Sequence, residues 1–497
     1  MQNDADIIIV GSGMGGATLA AALAPTGRRI VIVERGDWLP DTAEARDPAA
    51  IFARGHYRNA LTWGAADGTQ FDPGNYHYVG GNSKFYGAVL MRYRESDFAP
   101  KHHMGGTTTG WPFGYNTLAP YYDRAEAMYD VRGDANIDPT EPPRAAPLPH
   151  PPVPHEPEIA DLARRLGAIG LTPSPLPLGV DLDRWLSGGQ TPWDAFPDTN
   201  GGKRDAQSVG IARALEYDNV TLLTNTRVLS LMMHVDGHVM GVDLGLQDGT
   251  DTQLQAGIVV LAAGALETAN ILLNSGRRRG NGVANSSDQV GQNFMNHNAS
   301  AVLALSTRRN RAVYQKTLQF NDWYDTGGPD GAPLGNVQLL GRVSAPILAA
   351  QTGLPMPLAR LIASYAIDFY AMSEDIPNSG SFISSHDGDT VFHWSRSNME
   401  AHEALLTKLK STLRKAGFPL VLSRTFDRRT LSHQCGTARL GDDPATSVCN
   451  PYGQTHDHKN LYICDASLLP TSAAVNPSLT ISALALRQAD YIHEAAA

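Results

Sequence analysis

"DADIIIVGSGMGGATLAAALAPTGRRIVIVERG", residues 4–36, is the stretch that decides the fold of this chain. Two apolar runs, residues 7–10 and 30–33, flank a glycine-rich turn and an alanine-rich segment of helical length. That order is typical of a β-strand, a tight turn, an α-helix and a second, parallel β-strand. We therefore predict an α/β chain that opens with a Rossmann-like domain.

The glycines of the turn have the G-x-G-x-x-G spacing, and each has a physical task. Gly11 permits the turn, Gly13 lets the backbone approach a pyrophosphate, and Gly16 lets the helix pack closely on the strand. Glu34 ends the second strand, where a carboxylate can accept hydrogen bonds from an adenosine ribose, and Arg35 follows it. Together they predict a dinucleotide-binding site.

NAD and FAD share this fingerprint, so the rest of the chain has to distinguish them. Further segments rich in glycine and small residues recur between residues 80 and 480. In "YVGGNSKFYGAVLMR", residues 78–92, a Gly-Gly turn can present backbone amides as a second polar surface. Residues 257–276 are typical of a buried strand that turns into a helix at Gly264. Sites spread along the chain favour FAD, a cofactor contacted along its whole length.

The composition restricts the class of protein. The 497 residues are 42% hydrophobic and 18% charged, without an apolar run long enough to cross a bilayer. This predicts a soluble enzyme without a membrane partner. The formal net charge of −10 argues against a nucleic-acid partner and is weakly compatible with a cationic substrate.

Cysteine and histidine usage points to the compartment and argues against a metal. The three cysteines, Cys435, Cys449 and Cys464, have no metal-like spacing and suit a reducing compartment. The first apolar strand begins so early that we expect no signal peptide and a cytoplasmic location. His456 and His458 lie two apart in a loop without a third ligand nearby, so no metal site is predicted.

A helix is predicted near the end of the chain, in "PTSAAVNPSLTISALALRQAD", residues 470–490. Asn476 is suited to cap its exposed amides, and Pro477 fits the first helical position, where no N–H is needed. Small residues precede this start, from Thr471 to Ala474. They would let the backbone approach a bound group closely.

Five motifs, in order, resemble the glucose-methanol-choline (GMC) flavoprotein oxidoreductases. Beyond the N-terminal glycines, residues 80–92 and 264–276 are similar to the two family signatures. Val290, Gly291, Asn293 and His297 follow the V-G-x-N-x-x-x-H segment. "HQCGTARLG" from His433 and "NLYICDASLLPTSAAVNPSLTISALALRQAD" from Asn460 resemble the C-terminal block.

The resemblance implies a fold and a division into domains. A Rossmann-like FAD-binding domain would comprise residues 1–100, 205–300 and 430–497. A discontinuous substrate-binding domain would comprise residues 101–204 and 301–429. Apparent strands between residues 301 and 400 predict that the second unit is an antiparallel β-sheet with helices that roofs the flavin, as in p-hydroxybenzoate-hydroxylase-like folds.

The resemblance also implies a set of flavin contacts. Val228 would meet the adenine through its backbone, and Asp465 and Ala466 would lie near the pyrophosphate and the ribityl chain. The positive end of the C-terminal helix would face the isoalloxazine ring, where negative charge gathers on reduction. The predicted cofactor-binding residues are Gly11, Gly13, Gly16, Glu34, Arg35, Gly80, Gly81, Asn82, Ser83, Tyr86, Gly87, Val228, Ala263, Gly264, Asp465, Ala466, Asn476, Pro477 and Thr480.

Two departures from the family pattern concern the first signature. Phe85 stands where pyranose oxidase has the histidine that links the flavin, so FAD is expected to bind non-covalently. Tyr86 stands where many members have an asparagine that contacts the flavin. The tyrosine hydroxyl or the amide of Gly87 would have to replace that contact.

The catalytic pair implied by the resemblance is His433 and Asn476, 43 positions apart in the chain. Alcohol oxidation needs a base, because removal of the hydroxyl proton makes the carbinol hydrogen a good hydride donor. A neutral imidazole suits that task near neutral pH, and Asn476 would hold the substrate oxygen without adding charge.

The expected substrate is a small-molecule alcohol, preferably a hydroxyl of a sugar, glycoside or aminoglycoside, and more narrowly the primary hydroxyl of an amino sugar. Oxidation of a glycoside or pyranose at its 3-position is one alternative, and a hydroxynitrile-lyase-like FAD enzyme is another. The sequence leaves open whether oxygen or a separate acceptor takes the electrons. Polar and aromatic candidates for substrate contact are Gln319, Trp323, Gln338, Glu374 and Trp394.

Overall fold

The computed structural model describes residues 4–59, 61–189, 192–276, 281–386, 389–428, 430 and 432–495. The predicted domain limits at residues 1, 429 and 497 lie outside these ranges. Runs of strands are separated by single α-helices or pairs of them. The strands are β1 (Ala5–Val10), β2 (Ile30–Val33), β3 (Trp63–Ala65), β4 (Gln70–Phe71), β5 (His102–His103), β6 (Gly106–Thr107), β7 (Ser174–Pro175), β8 (Val220–Leu223), β9 (Thr226–Met233), β10 (Val239–Leu246), β11 (Asp251–Leu261), β12 (Asn298–Leu305), β13 (Leu318–Phe320), β14 (Asn336–Leu339), β15 (Ala366–Ser373), β16 (Phe382–His386), β17 (Asp389–His393), β18 (Leu420–Thr425) and β19 (Leu461–Ile463). The α-helices are α1 (Met14–Leu23), α2 (Tyr115–Met128), α3 (Pro157–Ala168), α4 (Leu182–Ser187), α5 (Ala212–Ala214), α6 (Ala265–Asn274), α7 (Ala345–Thr352), α8 (Met356–Ala363), α9 (Met399–Lys415) and α10 (Ser478–Ala495).

A seven-stranded sheet contains the predicted Rossmann-like unit. Its order is β8-β2-β1-β11-β10-β9, with β19 paired to β11, and β1 runs parallel to both β2 and β11. Helix α1 connects β1 to β2, as the sequence predicts. Ile7, Ile8 and Ile9 of β1 are fully buried, and each contributes about 1.5–3 kcal/mol of hydrophobic stabilisation. The predicted α/β fold is confirmed.

A six-stranded antiparallel sheet, ordered β18-β12-β15-β14-β13-β7, forms the second layer. Side chains of β12 alternate between its faces. Val302 and Ala304 pack with α3 and α9, whereas Ala301 and Leu303 pack with α7 and α8 on the other face. The second face also borders a cavity between the two sheets.

The strands of the two sheets come from different parts of the sequence, which can be compared with the predicted domain division. Strands of the first sheet come from residues 5–33, 220–261 and 461–463, and strands of the second come from residues 174–175 and 298–425. The exact division stays a prediction. Within the described ranges, no helix is both long and apolar enough to span a bilayer.

Candidate active site

A cavity of about 570 Å³ lies where the carboxyl ends of β1 and β2 meet the antiparallel sheet. In open α/β sheets this end of the strands is where ligands bind. Most residues predicted to bind the cofactor lie in its wall: Gly11, Gly13, Glu34, Arg35, Gly81, Asn82, Ser83, Tyr86, Gly87, Val228, Ala263, Gly264, Asp465, Ala466, Asn476 and Pro477. The folded chain therefore brings these distant motifs to one cavity.

The glycines of the first turn have different roles: one allows the helix to pack closely, and another borders the cavity. A Cβ atom at Gly16 would stand 2.1 Å from the carbonyl oxygen of Gly11, so only glycine allows helix α1 to pack here. At Gly13 the same atom would meet nothing within 4 Å, because this residue borders the cavity. Gly16 accordingly lies outside the cavity wall, as its predicted packing role requires.

Gly13 and Gly81 form a cradle suited to a pyrophosphate. Gly13 precedes α1 and has no side chain to cap the free amides of its first turn. A Cβ at Gly81, whose φ is +55°, would lie 3.5 Å from the Cα of Gly13. Free helix amides beside a surface without side chains are the environment that a phosphate group requires. These residues fit a dinucleotide.

Glu34 lies at the end of β2 and faces the same cradle. Its carboxylate accepts hydrogen bonds from the hydroxyl of Ser12 at 2.6 Å and from the amide of Gly36 at 2.9 Å. The Ser12 hydroxyl oxygen in turn accepts the amide of Gly80 at 3.0 Å. Glu34 thus joins the two glycine turns, and Arg35 beside it pairs with Glu267.

The first-signature loop is clamped from outside the cavity. The buried Lys203 ammonium donates to the carbonyls of Lys84 and Tyr86 at 2.8 and 3.0 Å. Burial lowers the pKa of Lys203 to about 8. The hydroxyl of Tyr86 donates to the carbonyl of Arg204, which leaves its oxygen able only to accept. Gly87 also lies in the cavity wall.

Asp465 organises the C-terminal end of the cavity. One carboxylate oxygen accepts hydrogen bonds from the amide of Gly264 and the hydroxyl of Thr268, and the other accepts the amide of Ser467. Burial raises the pKa of this carboxyl group. Asp465 therefore ties the second glycine turn to the C-terminal block, and the neighbouring Ala466 lies in the wall.

The last helix begins later than the sequence predicts. Helix α10 starts at Ser478, and the carbonyl of Pro477 accepts its first helical hydrogen bond from Ile481. The side chain of Asn476 does not cap the helix, because hydrogen bonds to His433 and Gln338 hold it. Thr480 lies outside the cavity wall, and its hydroxyl bonds to Tyr122.

His433 and Asn476 meet at the cavity. The Nε2 atom of His433 is 3.3 Å from the side-chain nitrogen of Asn476, and its Nδ1 atom is 2.8 Å from Nδ1 of His297. Burial lowers the pKa of His297. Burial, with His297 and the ammonium of Lys316, lowers the pKa of His433 well below its usual range. Both imidazoles are therefore neutral near neutral pH, as a base requires.

The five side chains predicted to contact substrate lie outside the cavity wall. Trp323 packs beneath the antiparallel sheet, and Trp394 donates to Asp375. Glu374 pairs with His103 and accepts the amide of Ala473. Gln319 and Gln338 belong to a buried cluster of carboxamides. Polarity and aromatic character do not reveal the direction of a side chain.

Other residues line the cavity near His433. They include an apolar wall and an ion pair between Lys316 and Asp194, whose N–O distance is 2.7 Å. No sequence motif marks these positions, because the apolar residues among them lie on or directly after strands β12, β14, β15 and β18, which pair in the antiparallel sheet. The apolar wall consists of Ala301, Leu303, Leu340, Tyr370 and Phe426.

Several known proteins are similar to this chain over nearly its whole length. The chain is 29% identical to paromamine 6'-oxidase of Streptomyces fradiae, over 97% of this chain and 90% of that protein. It is 27% identical to 2-methyl-1,2-propanediol dehydrogenase of Mycolicibacterium austroafricanum, over 98% and 95%. Fructose dehydrogenase large subunit of Gluconobacter japonicus is 24% identical, over 98% and 97%.

Solved structures share the fold. Pyridoxine 4-oxidase from Mesorbium loti has a TM-score of 0.68 at 19% identity, covering 99% of both chains. Aspergillus oryzae formate oxidase has a TM-score of 0.69 at 16% identity, covering 100% of this chain and 99% of the other.

Family models account for most of the chain. A Rossmann-like NAD(P)-binding domain model matches residues 9–48. The two models of GMC oxidoreductases match residues 57–299 and 389–485, together well over half of the sequence. With the glycine cradle and the cavity between the two sheets, these matches support a flavin cofactor. The chain belongs to the GMC oxidoreductase family and is an oxidoreductase that acts on alcohols.

Proposed function

We propose that the protein binds FAD non-covalently in this cavity and oxidises a carbohydrate-type alcohol to a carbonyl, with His433 as the base. The observation that carries the proposal is the position of His433, whose Nε2 atom lies beside Asn476 in the wall of the cavity that holds the glycine cradle. The flavin, when bound, would supply the acceptor for the hydride that leaves the carbinol carbon.

The residues of the chain supply the rest of the chemistry. Nε2 of His433 would receive the hydroxyl proton, and the amide of Asn476 would donate to the substrate oxygen and hold it in place. Aliphatic side chains in the cavity wall, among them Ala301 and Leu303, would limit the access of water to the reacting atoms. Removal of the proton as the hydride leaves avoids a protonated carbonyl product.

The substrate class rests on relatives and on the cavity wall. Relatives of nearly full length are named for paromamine, 6'''-hydroxyparomomycin C and fructose. The wall offers Tyr370 and Phe426 as apolar surfaces for a sugar ring, and the Asp194–Lys316 pair as polar groups. The primary hydroxyl of an amino sugar is our first choice, and a secondary ring hydroxyl is the alternative.

Non-covalent binding and a cytoplasmic location complete the proposal. Phe85 is buried against Tyr76, with ring centroids 3.7 Å apart, where a linking histidine would otherwise stand. The cysteines at 435, 449 and 464 are free thiols, which suits a reducing compartment. Acid precipitation should release the flavin into the supernatant, and flavin retained in the pellet would contradict this part.

The decisive experiment is an anaerobic visible spectrum of the holoprotein mixed with aminoglycosides, neutral glycosides, free sugars and simple alcohols. Bleaching of the flavin band by paromamine-like compounds supports the amino-sugar proposal, whereas bleaching only by neutral glycosides removes it. A flavin that no alcohol reduces would favour the lyase alternative. Readmission of oxygen or an artificial acceptor then identifies the second substrate by the faster return of colour.

A further inference from the structure

We propose that His297 and Gln338 are positioning residues that fix the proton positions of the catalytic pair. His297 would determine which ring nitrogen of His433 carries the proton, and Gln338 would determine which way the amide of Asn476 points. This inference rests on the proposed function and assigns two residues that the sequence motifs leave without this role. The evidence for it is two chains of buried hydrogen bonds, which meet at the contact between His433 and Asn476.

The first chain begins at a backbone carbonyl. The carbonyl oxygen of Ser472 lies 2.9 Å from Nε2 of His297. A carbonyl can only accept, so Nε2 of His297 carries the proton and its Nδ1 has a free lone pair. That Nδ1 is 2.8 Å from Nδ1 of His433, which must then be the donor. Nε2 of His433 is left unprotonated and able to act as a base.

The second chain begins at a carboxylate. The Asn321 amide donates to Asp138 at 2.6 Å, and Asn336 donates to the oxygen of Asn321 at 2.7 Å. Gln338 donates to the oxygen of Asn336 at 3.0 Å and to the oxygen of Asn476 at 2.9 Å. Reversal of Gln338 would set its oxygen against two other oxygens. The carboxylate therefore dictates the direction of every amide that follows.

Asp138 is itself held in place. Arg94 donates to its carboxylate at 2.8 Å, and both side chains are almost fully buried. Asn321, Asn336 and Gln338 are at most 1% exposed, so water cannot reorient their amides. In this direction the Oε1 atom of Gln338 is buried without a hydrogen-bond partner. Reversal of Gln338 would be costlier, because it would lose both of its donated hydrogen bonds and set oxygen against oxygen, so the observed direction is the favourable one.

The two chains agree where they meet. The first leaves Nε2 of His433 as an acceptor, and the second directs the NH₂ group of Asn476 towards it, at 3.3 Å. Neither chain depends on the other for its direction, since one starts at the Ser472 carbonyl and the other at the Asp138 carboxylate. The active form of the base is thus built into the folded protein.

The test uses the holoprotein labelled with [¹⁵N]histidine and needs no substrate. Nitrogen chemical shifts identify the tautomer of each neutral ring, and the signals of His433 are those missing from His433→Ala. We expect the proton on Nδ1 in the wild type. His297→Leu should move it at least partly to Nε2, whereas His297→Asn, which keeps an acceptor near the old Nδ1 position, should retain the wild-type pattern.

Gln338→Glu tests the second chain. A carboxylate cannot donate to Asn476, so we expect the Asn476 amide to turn and present its oxygen to Nε2 of His433, favouring the protonated nitrogen there. Gln338→Met, which removes both the donor and the acceptor, should cause a smaller change. Flavin absorbance and thermal unfolding identify variants that fail to fold. The tautomer of His433 in the variants that do fold then tests the role of Gln338.

The rates of anaerobic flavin reduction give a second readout. A misplaced tautomer in a hydrolytic triad lowers turnover by about 10⁴-fold, so we expect about 10²–10⁴-fold slower reduction in His297→Leu and Gln338→Glu, with partial recovery in His297→Asn. A proton on Nε2 of His433 in the wild type, or an unchanged tautomer in both disruptive variants, would overturn the inference. A wild type with the expected tautomer that no alcohol reduces would instead count against the proposed function alone.

Discussion

Gly13→Ala and Gly16→Ala make a matched pair that tests how the glycine turn works. Both substitutions add one methyl group, three residues apart. At Gly13 that group meets no heavy atom within 4 Å, and the backbone there, with φ of −69° and ψ of −172°, accepts alanine without strain. We expect the apoprotein of Gly13→Ala to be as stable as the wild type.

The cost of Gly13→Ala should fall on cofactor affinity. The methyl group would occupy the surface that the pyrophosphate approaches and would weaken at least one hydrogen bond to a charged group. Such a bond contributes about 1.5–3 kcal/mol, so FAD should bind about 10–100-fold more weakly. Gly16→Ala places its Cβ 2.1 Å from the Gly11 oxygen, so helix α1 has to move by roughly 1 Å. Overpacking of that kind costs about 1–3 kcal/mol of folding free energy.

The assay combines urea unfolding of the two apoproteins with titration of FAD into each. The reasoning predicts normal stability with weak binding for Gly13→Ala, and a lower unfolding midpoint for Gly16→Ala. Full FAD affinity in Gly13→Ala would show that the cradle is not the pyrophosphate site. Equal loss of stability in both variants would show that the turn serves packing alone.

Three further predictions concern the buried ionisable groups. His433→Ala should give a folded, yellow protein whose flavin is reduced about 10²–10⁴-fold more slowly by substrate, and normal reduction in rapid mixing would reject this residue as the base. Lys316→Gln removes a positive charge that lowers the pKa of His433, so that pKa should rise and the acid limb of the pH–rate profile should move to higher pH; a shift to lower pH would contradict the electrostatic reasoning. Burial lowers the pKa of His402 from 6.5 to about 4, so below pH 6.5 the unfolded chain binds a proton that the folded chain does not. The free energy of unfolding should therefore fall as the pH decreases, by about 3 kcal/mol in the limit of low pH. Denaturant titrations at successive pH values should show that His402→Gln removes this part of the pH dependence.

Local motifs predicted the parts of the site whose chemistry depends on backbone. The G-x-G-x-x-G turn, the Gly80–Gly81 turn and the strand that leads into Gly264 all lie where the sequence indicates, beside one cavity. Such positions are recognisable because glycine allows close backbone approach and adopts a positive φ at no steric cost, which other residues rarely do. The spacing of these motifs also predicted the order of β1, α1 and β2.

The predicted substrate contacts stay predictions, and they depend on side-chain direction, which the sequence does not give. Gln319, Trp323, Gln338, Glu374 and Trp394 have suitable chemistry but lie outside the cavity wall. For Gln319 in β13 and Gln338 in β14, alternation along the strand decides which face the side chain occupies, and a short strand without a motif does not reveal which face borders the cavity. Leu303 and Tyr370 reach the wall through the register of β12 and β15, where Leu303 pairs with Asp368 and Ala301 with Tyr370.

At Asn476 the role predicted from the local sequence differs from the one that the tertiary structure gives to the side chain. Its position before a proline predicts a helix cap, but its side chain is held by Gln338 and His433 from other parts of the chain. The sequence by itself determined the Rossmann-like fold and the glycine turns that border the cavity, because each depends on residues close in the chain. The catalytic pair of His433 and Asn476, which a recognisable motif implies, stays a prediction. Only the tertiary structure decided the direction of each side chain and of each hydrogen bond at that pair, because those depend on buried partners up to 138 residues away in the sequence.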